Sequence, residues 1–162
     1  MDVLDNLANN SRRASAFFID FGPIVLLVGA VSYFFFGFDE VWHNYIANRG
    51  SVEDRKAFLT ERNHIRRIAF IIWVLYSSFA EASSKQGTLG KIATGIKVVD
   101  QDGLRLSLVD SFKRNAFKLI SFLIVALGFL WILWDKNRQG WHDKVAKTFV
   151  VGANYKSEVI EG

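Results

Sequence analysis

The 162 residues are enough for one domain, and 51% of them are apolar, a share that soluble and membrane proteins have in common. The net charge of +4 would suit a nucleic-acid partner, but the cations flank apolar segments and do not line one soluble face. We therefore predict anionic lipid headgroups as their partner and no nucleic acid. The absence of cysteine excludes disulfides, thiolate metal ligands and a cysteine nucleophile.

Three apolar segments follow in chain order, at residues 16–36, 68–80 and 116–134. The first contains a single charged residue, Asp20, and is long enough to cross a hydrocarbon core of roughly 30 Å. The second reaches that length only if it continues to Ser84, and the third only if Lys118 extends to the interface. These segments predict an all-α membrane protein with two to three transmembrane helices. The alternative is three buried helices of a soluble fold, but so small a fold has little polar chain to cover them.

The polar parts of the chain predict its remaining organisation. Residues 1–10 and 153–162 are predicted to be a flexible amino terminus and a flexible tail around a single membrane domain at 11–152. The hydroxyl of Ser51 is predicted to cap the start of a helix, because acidic residues follow it in the chain. Because no glycine or proline occurs from Val52 to Lys85, we predict one continuous helix there, about 45 Å long.

Two β-rich stretches lie outside the apolar segments, Ile96–Asp100 and Thr148–Val151. A lone strand would leave its backbone N–H and C=O groups unpaired, so we predict that the two stretches pair with each other. Pairing requires both to lie on one side of the membrane. The prediction is therefore a small two-stranded β element on the cytoplasmic side.

The distribution of lysine and arginine indicates the topology, because cytoplasmic connections carry an excess of both. A cytoplasmic amino terminus with a third segment that re-enters without crossing puts 13 of them inside and 6 outside. The alternative, an outside amino terminus with three crossings, puts 11 inside and 8 outside. Arg12 and Arg13 before the first segment, with Asp39 and Glu40 after it, favour the cytoplasmic terminus. Those acids stand where a signal peptide would be cleaved, so we predict a retained anchor.

Asp20 is the main candidate for a functional residue. A charged side chain at the centre of a membrane helix costs roughly 2.5–3.5 kcal/mol, so such residues pair, line water or titrate. Pro23 cannot donate to the carbonyl of Ile19, which leaves a free oxygen beside the carboxylate. Together with Glu81, these groups could bind a small cation or relay a proton. The alternative is that Asp20 holds a basic residue of another segment and fixes the packing.

Other polar residues carry weaker signals. His142 and Asp143 could form a titrating pair, or Asp143 could simply pair with Arg114 or Lys91. The histidines lack metalloprotease spacing, and no phosphate-binding loop or nucleophile elbow occurs, so we predict no enzyme, no metal and no cofactor. Basic residues predicted to contact lipid headgroups are Arg12, Arg13, Lys91, Arg114, Lys144 and Lys147.

Four motifs together resemble the RDD family of membrane proteins: RASAFFID at Arg13–Asp20, GTLGK at Gly87–Lys91, GIKVVDQDG at Gly95–Gly103, and RQGWHDKVAKTFVV at Arg138–Val151. The family is named for one arginine and two aspartates, and the resemblance implies that these are Arg13, Asp20 and Asp143. Lys147 stands where the family has glycine. The resemblance also implies a protein of the bacterial inner membrane with a poorly defined role, often suggested to move small ligands, with cation–proton exchange proposed for some members.

The function predicted from these features is to move or sense a small cation, a proton or another small ligand through the intramembrane Asp20. Two or three segments enclose a pathway poorly, so we predict a homo-oligomer or a partner membrane protein. The alternative is a non-transporting adaptor or assembly factor, which would recruit a partner protein through the β pair and the basic helix.

Overall fold

The computed structural model describes residues 3–123 and 131–156, without the side chains of 119–123. In chain order the described helices and strands are α1 Asn10–Phe35, α2 Phe38–Ala47, α3 Val52–Glu81, α4 Leu89–Ala93, β1 Ile96–Asp100, α5 Leu108–Leu123, α6 Trp141–Val145 and β2 Thr148–Gly152. Short 3-10 helices occur at Leu4–Asn6 and Trp131–Leu133. The chain divides into two compact units, which are Phe21–Trp73 and, here named the sheet unit, Met1–Asp20 with Val74–Gly162.

The first predicted segment is helical up to Phe35, as the main part of α1, and its last residue, Phe36, lies outside the helix. Among the described residues, α1 is the one helix that is long and apolar enough to cross a membrane, with a mean hydropathy of 2.0 over 18 residues. The second predicted segment forms the carboxyl-terminal half of α3. The third begins within α5, but residues 124–130 lie outside the described residues. The number of crossings therefore stays a prediction.

The long helix predicted from Val52 is confirmed, and it ends at Glu81 rather than at Lys85. Its cap is the predicted one, since the backbone N–H of Asp54 donates to Ser51 Oγ at 3.2 Å. At its end, the hydroxyl of Ser83 donates to the carbonyl of Ala80 at 2.7 Å and turns the chain away from the helix.

Helix α2 was not predicted, because it lies in a connection that is polar on average. Its aromatic residues recur at helical spacing, at Phe38, Trp42 and Tyr45, and this pattern could have indicated it. Phe58 of α3 packs against all three, with its ring stacked on Tyr45 at 4.3 Å between ring centres. The ring packing explains why this short helix forms.

The predicted pairing of the two β-rich stretches is confirmed. Strands β1 and β2 are antiparallel, with Val98 opposite Val150 and Asp100 opposite Thr148. Successive side chains alternate between the two faces of the sheet. One face packs with Ala8, Ala16 and Leu106, and the other packs with Val3 and Tyr155.

Residues of the amino terminus, assigned to a flexible segment by the sequence, close the outer edge of β2. Leu7 bridges to Val151, and the backbone N–H of Ala8 donates to the carbonyl of Val150 at 2.8 Å. Ala8 is buried, and the burial of its apolar side chain stabilises the ordered conformation of this segment. On the other edge, the N–H of Val98 donates to the carbonyl of Gln86 at 2.8 Å. Both edges of the sheet are thus covered.

Candidate functional site

The helices of the sheet unit bury polar side chains and expose apolar ones. Buried are Asp20 on α1, Ser78 and Glu81 on α3, Lys91 on α4, and Ser111, Arg114, Asn115 and Lys118 on α5. Exposed are Phe18 on α1, Phe79 on α3, Leu89 on α4, and Leu108, Val109 and Phe112 on α5. Helices in water show the opposite arrangement, so this pattern fits apolar surroundings with the charges turned inward.

Asp20 is 6% exposed and contacts neutral donors. Its Oδ2 accepts from the hydroxyl of Thr88 at 2.5 Å, and its Oδ1 accepts from the backbone N–H of Gly90 at 2.7 Å. Thr88 is the residue before α4, and its hydroxyl also accepts from the N–H of Lys91 at 3.4 Å. Asp20 therefore ties α1 to the start of α4, and its partners among the described residues are Thr88 and Gly90 rather than a basic residue of another segment.

Glu81, at the end of α3, is the acid on which several buried cations converge. Its Oε1 lies 2.9 Å from Lys91 Nζ and 3.5 Å from Lys118 Nζ. Its Oε2 lies 2.5 Å from Arg114 Nη1 and accepts from Asn115 Nδ2 at 2.9 Å. Every polar group in this set is fully buried or nearly so, which makes each of these contacts energetically important.

Asp143, in the first turn of α6, is the second buried acid and joins two arginines. Its Oδ2 pairs with Arg13 and accepts from the backbone N–H of Gly140 at 3.0 Å. Its Oδ1 accepts from Nε and Nη2 of Arg114 at 2.9 and 2.6 Å. Burial works against its ionisation, but Arg13 and Arg114 hold the pKa of Asp143 well below its usual range.

Arg114 bridges the two acids, because its guanidinium contacts both Glu81 and Asp143. Burial would lower the pKa of Arg114, but the two carboxylates outweigh burial and raise it. His142, next to Asp143, is also buried, and this burial lowers its pKa to about 3, with Arg114 adding to the effect against the pull of Asp143. The histidine is therefore neutral at ordinary pH. We call the connected side chains of Arg13, Glu81, Lys91, Arg114, Asn115, Lys118, His142 and Asp143 the buried network.

The predicted site residues fall into two separate groups of contacts. Asp20 bonds to Thr88 and Gly90, whereas Glu81 bonds to basic side chains and Asn115. Ile19 is exposed. Helix α4 links the two groups. Thr88, directly before the helix, and Gly90 in its first turn bind Asp20, and Lys91 binds Glu81. Among the described residues, no cluster of three or more His, Cys, Asp or Glu side chains is arranged to hold a metal ion.

The six basic residues assigned to lipid headgroups also separate into two sets. Arg13, Lys91 and Arg114 engage the buried acids. Arg12, Lys144 and Lys147 are exposed, and Lys144 forms an ion pair with Asp135.

Sequence reasoning missed Asn115 and assigned Lys118 to the membrane interface, and it gave Arg114 as a headgroup contact or as one alternative partner of Asp143. A signal was present, because Ser111, Arg114, Asn115 and Lys118 follow the i, i+3, i+4, i+7 spacing of one helix face. This polar stripe was overlooked. The stripe could have predicted an inward polar face, although not the acids that it meets.

The inward charges, the outward apolar side chains and the apolar α1 together are typical of a membrane protein. A family model described as the RDD family matches residues 7–147, and the chain belongs to this family of membrane proteins. The uncharacterized protein YxaI of Bacillus subtilis (strain 168) is 39% identical over 84 residues, which are 52% of this chain and 55% of YxaI. The chain thus matches about half the length of that relative. No solved structure matches it.

Proposed function

We propose that this RDD-family protein moves or senses protons in the bacterial inner membrane, with Asp20 as the group that takes up and releases the proton. The observation that carries the proposal is the setting of Asp20 in α1. It is 6% exposed, and its partners Thr88 and Gly90 are neutral. Ionisable residues that are buried within membrane segments are typical of proton pathways.

The contacts favour a proton over a coordinated metal cation as the small cation of the sequence prediction. Each oxygen of Asp20 already accepts a hydrogen bond, and Glu81 is occupied by cationic side chains. A joint cation site of Asp20, Ile19 and Glu81 would have to break these contacts. A proton needs only one free lone pair on a carboxylate oxygen, and each oxygen has two. The proposal includes no catalytic step.

The proposal places the amino terminus and the sheet on the cytoplasmic side. Exposed Arg12 and Lys147, together with Lys144, then contact anionic headgroups. A proton pathway needs more helices than this chain offers, so the working form is a homo-oligomer or a complex with a partner membrane protein. The size of the purified assembly tests this part.

The experiment is proton flux into vesicles that contain the purified protein and a pH-sensitive dye in their lumen. Asp20→Asn should abolish the flux at unchanged oligomer size. Asparagine keeps an acceptor for the N–H of Gly90, and its amide can donate to Thr88 Oγ1, but it does not titrate. The matched control is Asp110→Asn, an acid on the exposed side of α5 that should leave flux unchanged. Full flux in Asp20→Asn vesicles would refute the proposal.

A non-transporting adaptor is the second candidate function. The observation in its favour is that both oxygens of Asp20, together with Arg13 and Asp143, serve contacts within the sheet unit. In that case wild-type vesicles show no flux, and Asp20→Asn only lowers expression and thermal stability.

A further inference from the structure

An apolar groove lies on the surface of the sheet unit, between the end of α3 and the first turns of α5. It has a volume of about 320 Å³ and is open to the surroundings. Its apolar lining consists of exposed side chains, namely Leu75, Phe79, Leu108, Val109 and Phe112. Single exposed apolar residues are ordinary on a protein surface, but a contiguous set around a concave site is typical of a binding surface.

The polar groups at the groove are bonded within the protein or charged. Ser78 also lines the groove, but its hydroxyl donates to the carbonyl of Val74 at 2.8 Å. The carbonyl of Ser78 accepts from the hydroxyl of Ser111 at 2.8 Å. Among the described lining residues, Lys113 is the charged one. The groove therefore suits an occupant that is apolar along its length and carries its charge at one place.

Lys113 contributes a positive charge that a bound molecule can reach. Its Nζ lies 3.7 Å from Asp110 Oδ1, and its side chain is 61% exposed, so this ion pair is a weak one. Asp110 has other stabilising partners, because it accepts from the hydroxyl of Ser107 at 2.6 Å and lies in the first turn of α5, where the helix dipole favours an acid. Lys113 can therefore pair with a negative group of the occupant while Asp110 stays stabilised.

The positions of the lining residues in the chain indicate the depth of the groove in a membrane. Leu75 and Phe79 lie at the end of the apolar segment 68–80, and Lys113 directly precedes the apolar segment 116–134. The ends of such segments lie where the hydrocarbon core meets the headgroups. A molecule that is apolar on one side of this level and negatively charged at it is an anionic phospholipid.

We propose that the groove binds one acyl chain of an anionic phospholipid, whose phosphate pairs with Lys113. A helix is about 10–12 Å wide and can only lie across a groove of this size, whereas an acyl chain is slender enough to lie within it. The bound lipid buries the exposed rings of Phe79 and Phe112 and covers the contact between α3 and α5. The inference does not depend on proton movement through Asp20.

The first test counts the lipids that purified, delipidated protein retains in native mass spectrometry. The probes are phosphatidylglycerol, which is anionic, and phosphatidylcholine with identical chains. The wild type should retain one phosphatidylglycerol per chain, with an affinity about fivefold above that for phosphatidylcholine. Lys113→Gln should remove this preference, whereas the control Lys56→Gln, exposed on the polar part of α3, should keep it. A preference that Lys113→Gln leaves unchanged would overturn the inference.

Two apolar substitutions test the groove itself. Val109→Phe fills the groove and should abolish the retention of both lipids, whereas Leu89→Phe, at an exposed position of α4 outside the lining, should not. Thermal unfolding in lipid-free detergent shows whether both variants fold. Equal lipid retention by folded Val109→Phe protein would contradict the proposed site. So would a smaller lipid-free assembly of this variant than of the wild type, because a second copy of the chain would then cover the groove.

A measurement on the wild type removes the dependence on variants. Phosphatidylglycerol with a photoreactive group in its acyl chain should crosslink to peptides that contain Phe79 and Val109. Unlabelled phosphatidylglycerol should suppress these crosslinks more strongly than phosphatidylcholine does. Crosslinks no stronger there than at exposed Leu26 of α1 would argue against a specific site. The flux assay is independent: retained lipid without wild-type flux ends the transport proposal alone, and flux without retained lipid ends this inference alone.

Discussion

The backbone N–H of Gly90 donates to Asp20 Oδ1 at 2.7 Å. At this point the backbones of α4 and α1 approach so closely that there is no room for a side chain on Gly90. A Cβ at Gly90 would lie 2.8 Å from Asp20 Oδ2 and would overlap the carbonyl oxygen of Ala16. We expect Gly90→Ala to destabilise the protein by about 1–3 kcal/mol, measured by thermal or denaturant unfolding. Gly29→Ala is the control, because nothing lies within 4 Å of its added Cβ. Equal stability of both variants would contradict this close approach.

Arg114 is expected to be the most sensitive member of the buried network. Arg114→Met leaves Asp143 with one arginine and Glu81 with Asn115 and the lysines, and removing one partner of a buried pair costs about 3–5 kcal/mol. Lys113→Met is the neighbouring control, since its exposed pair with Asp110 is worth about 0–1 kcal/mol. Unfolding midpoints of the two variants give the comparison. A loss at Arg114 no larger than at Lys113 would show that the network does not hold the fold together.

The buried His142 should make stability depend on pH. Its pKa is about 3 in the folded protein, against about 6.5 in the unfolded chain. Between these values the unfolded chain binds more protons, so stability falls as pH falls. The contribution of neutral His142 to the free energy of unfolding is complete above about pH 6.5. Below that pH it declines by at most about 1.4 kcal/mol per pH unit. His142→Gln should remove that slope between about pH 6.5 and 4.5, where the low pKa of Asp143 keeps the acid ionised. Unchanged slopes in the variant would argue against a neutral buried histidine.

Lys147 adopts a backbone conformation that glycine would adopt without strain. Its φ is 51°, in the left-handed region that costs other residues roughly 1–2 kcal/mol. We expect Lys147→Gly to stabilise the protein by about 1 kcal/mol, after the added flexibility of the unfolded chain is counted. Lys144→Gly, inside α6, should instead destabilise it by about 1 kcal/mol. If both variants lose stability equally, strain at Lys147 is not the explanation.

The topology can be tested with single cysteines, because the chain contains none. Cysteines at Asp5, Gln101 and Asn154 should react with a membrane-impermeant maleimide from the cytoplasmic side. A cysteine at Arg49 should react from the opposite side. If Gln101 and Asn154 were labelled from opposite sides of the membrane, the two strands could not be paired in the membrane-inserted protein. That result would also contradict a re-entrant third segment.

The features that the sequence predicted well depend on neighbours in the chain. The strands β1 and β2 are short β-branched runs, and the start of α3 has a serine cap with acids behind it. Such local chemistry does not depend on the rest of the fold. The pairing of the two strands followed from the need to satisfy backbone groups, which is equally general.

The buried network could be predicted only in part, because its members meet through tertiary packing. Asp143 and Arg114 were weighed as partners, and they do pair. Glu81 was predicted to join Asp20 in a cation or proton site, yet it meets Lys91 of α4, ten residues further along the chain. The donors to Asp20 are Thr88 and Gly90 at the start of α4, and they reach the carboxylate only when α4 packs on α1.

The contact of Leu7 with Val151 sets the order in which this protein can be assembled. During synthesis the amino-terminal segment emerges first, β1 follows, and β2 emerges last. Until β2 has emerged, β1 has no partner strand. Because β2 follows the three apolar segments in the chain, the sheet can close only after these segments have been synthesised. A ribosome stalled within the third apolar segment would therefore hold a chain whose β1 has no partner strand and whose Arg13 lacks its acid.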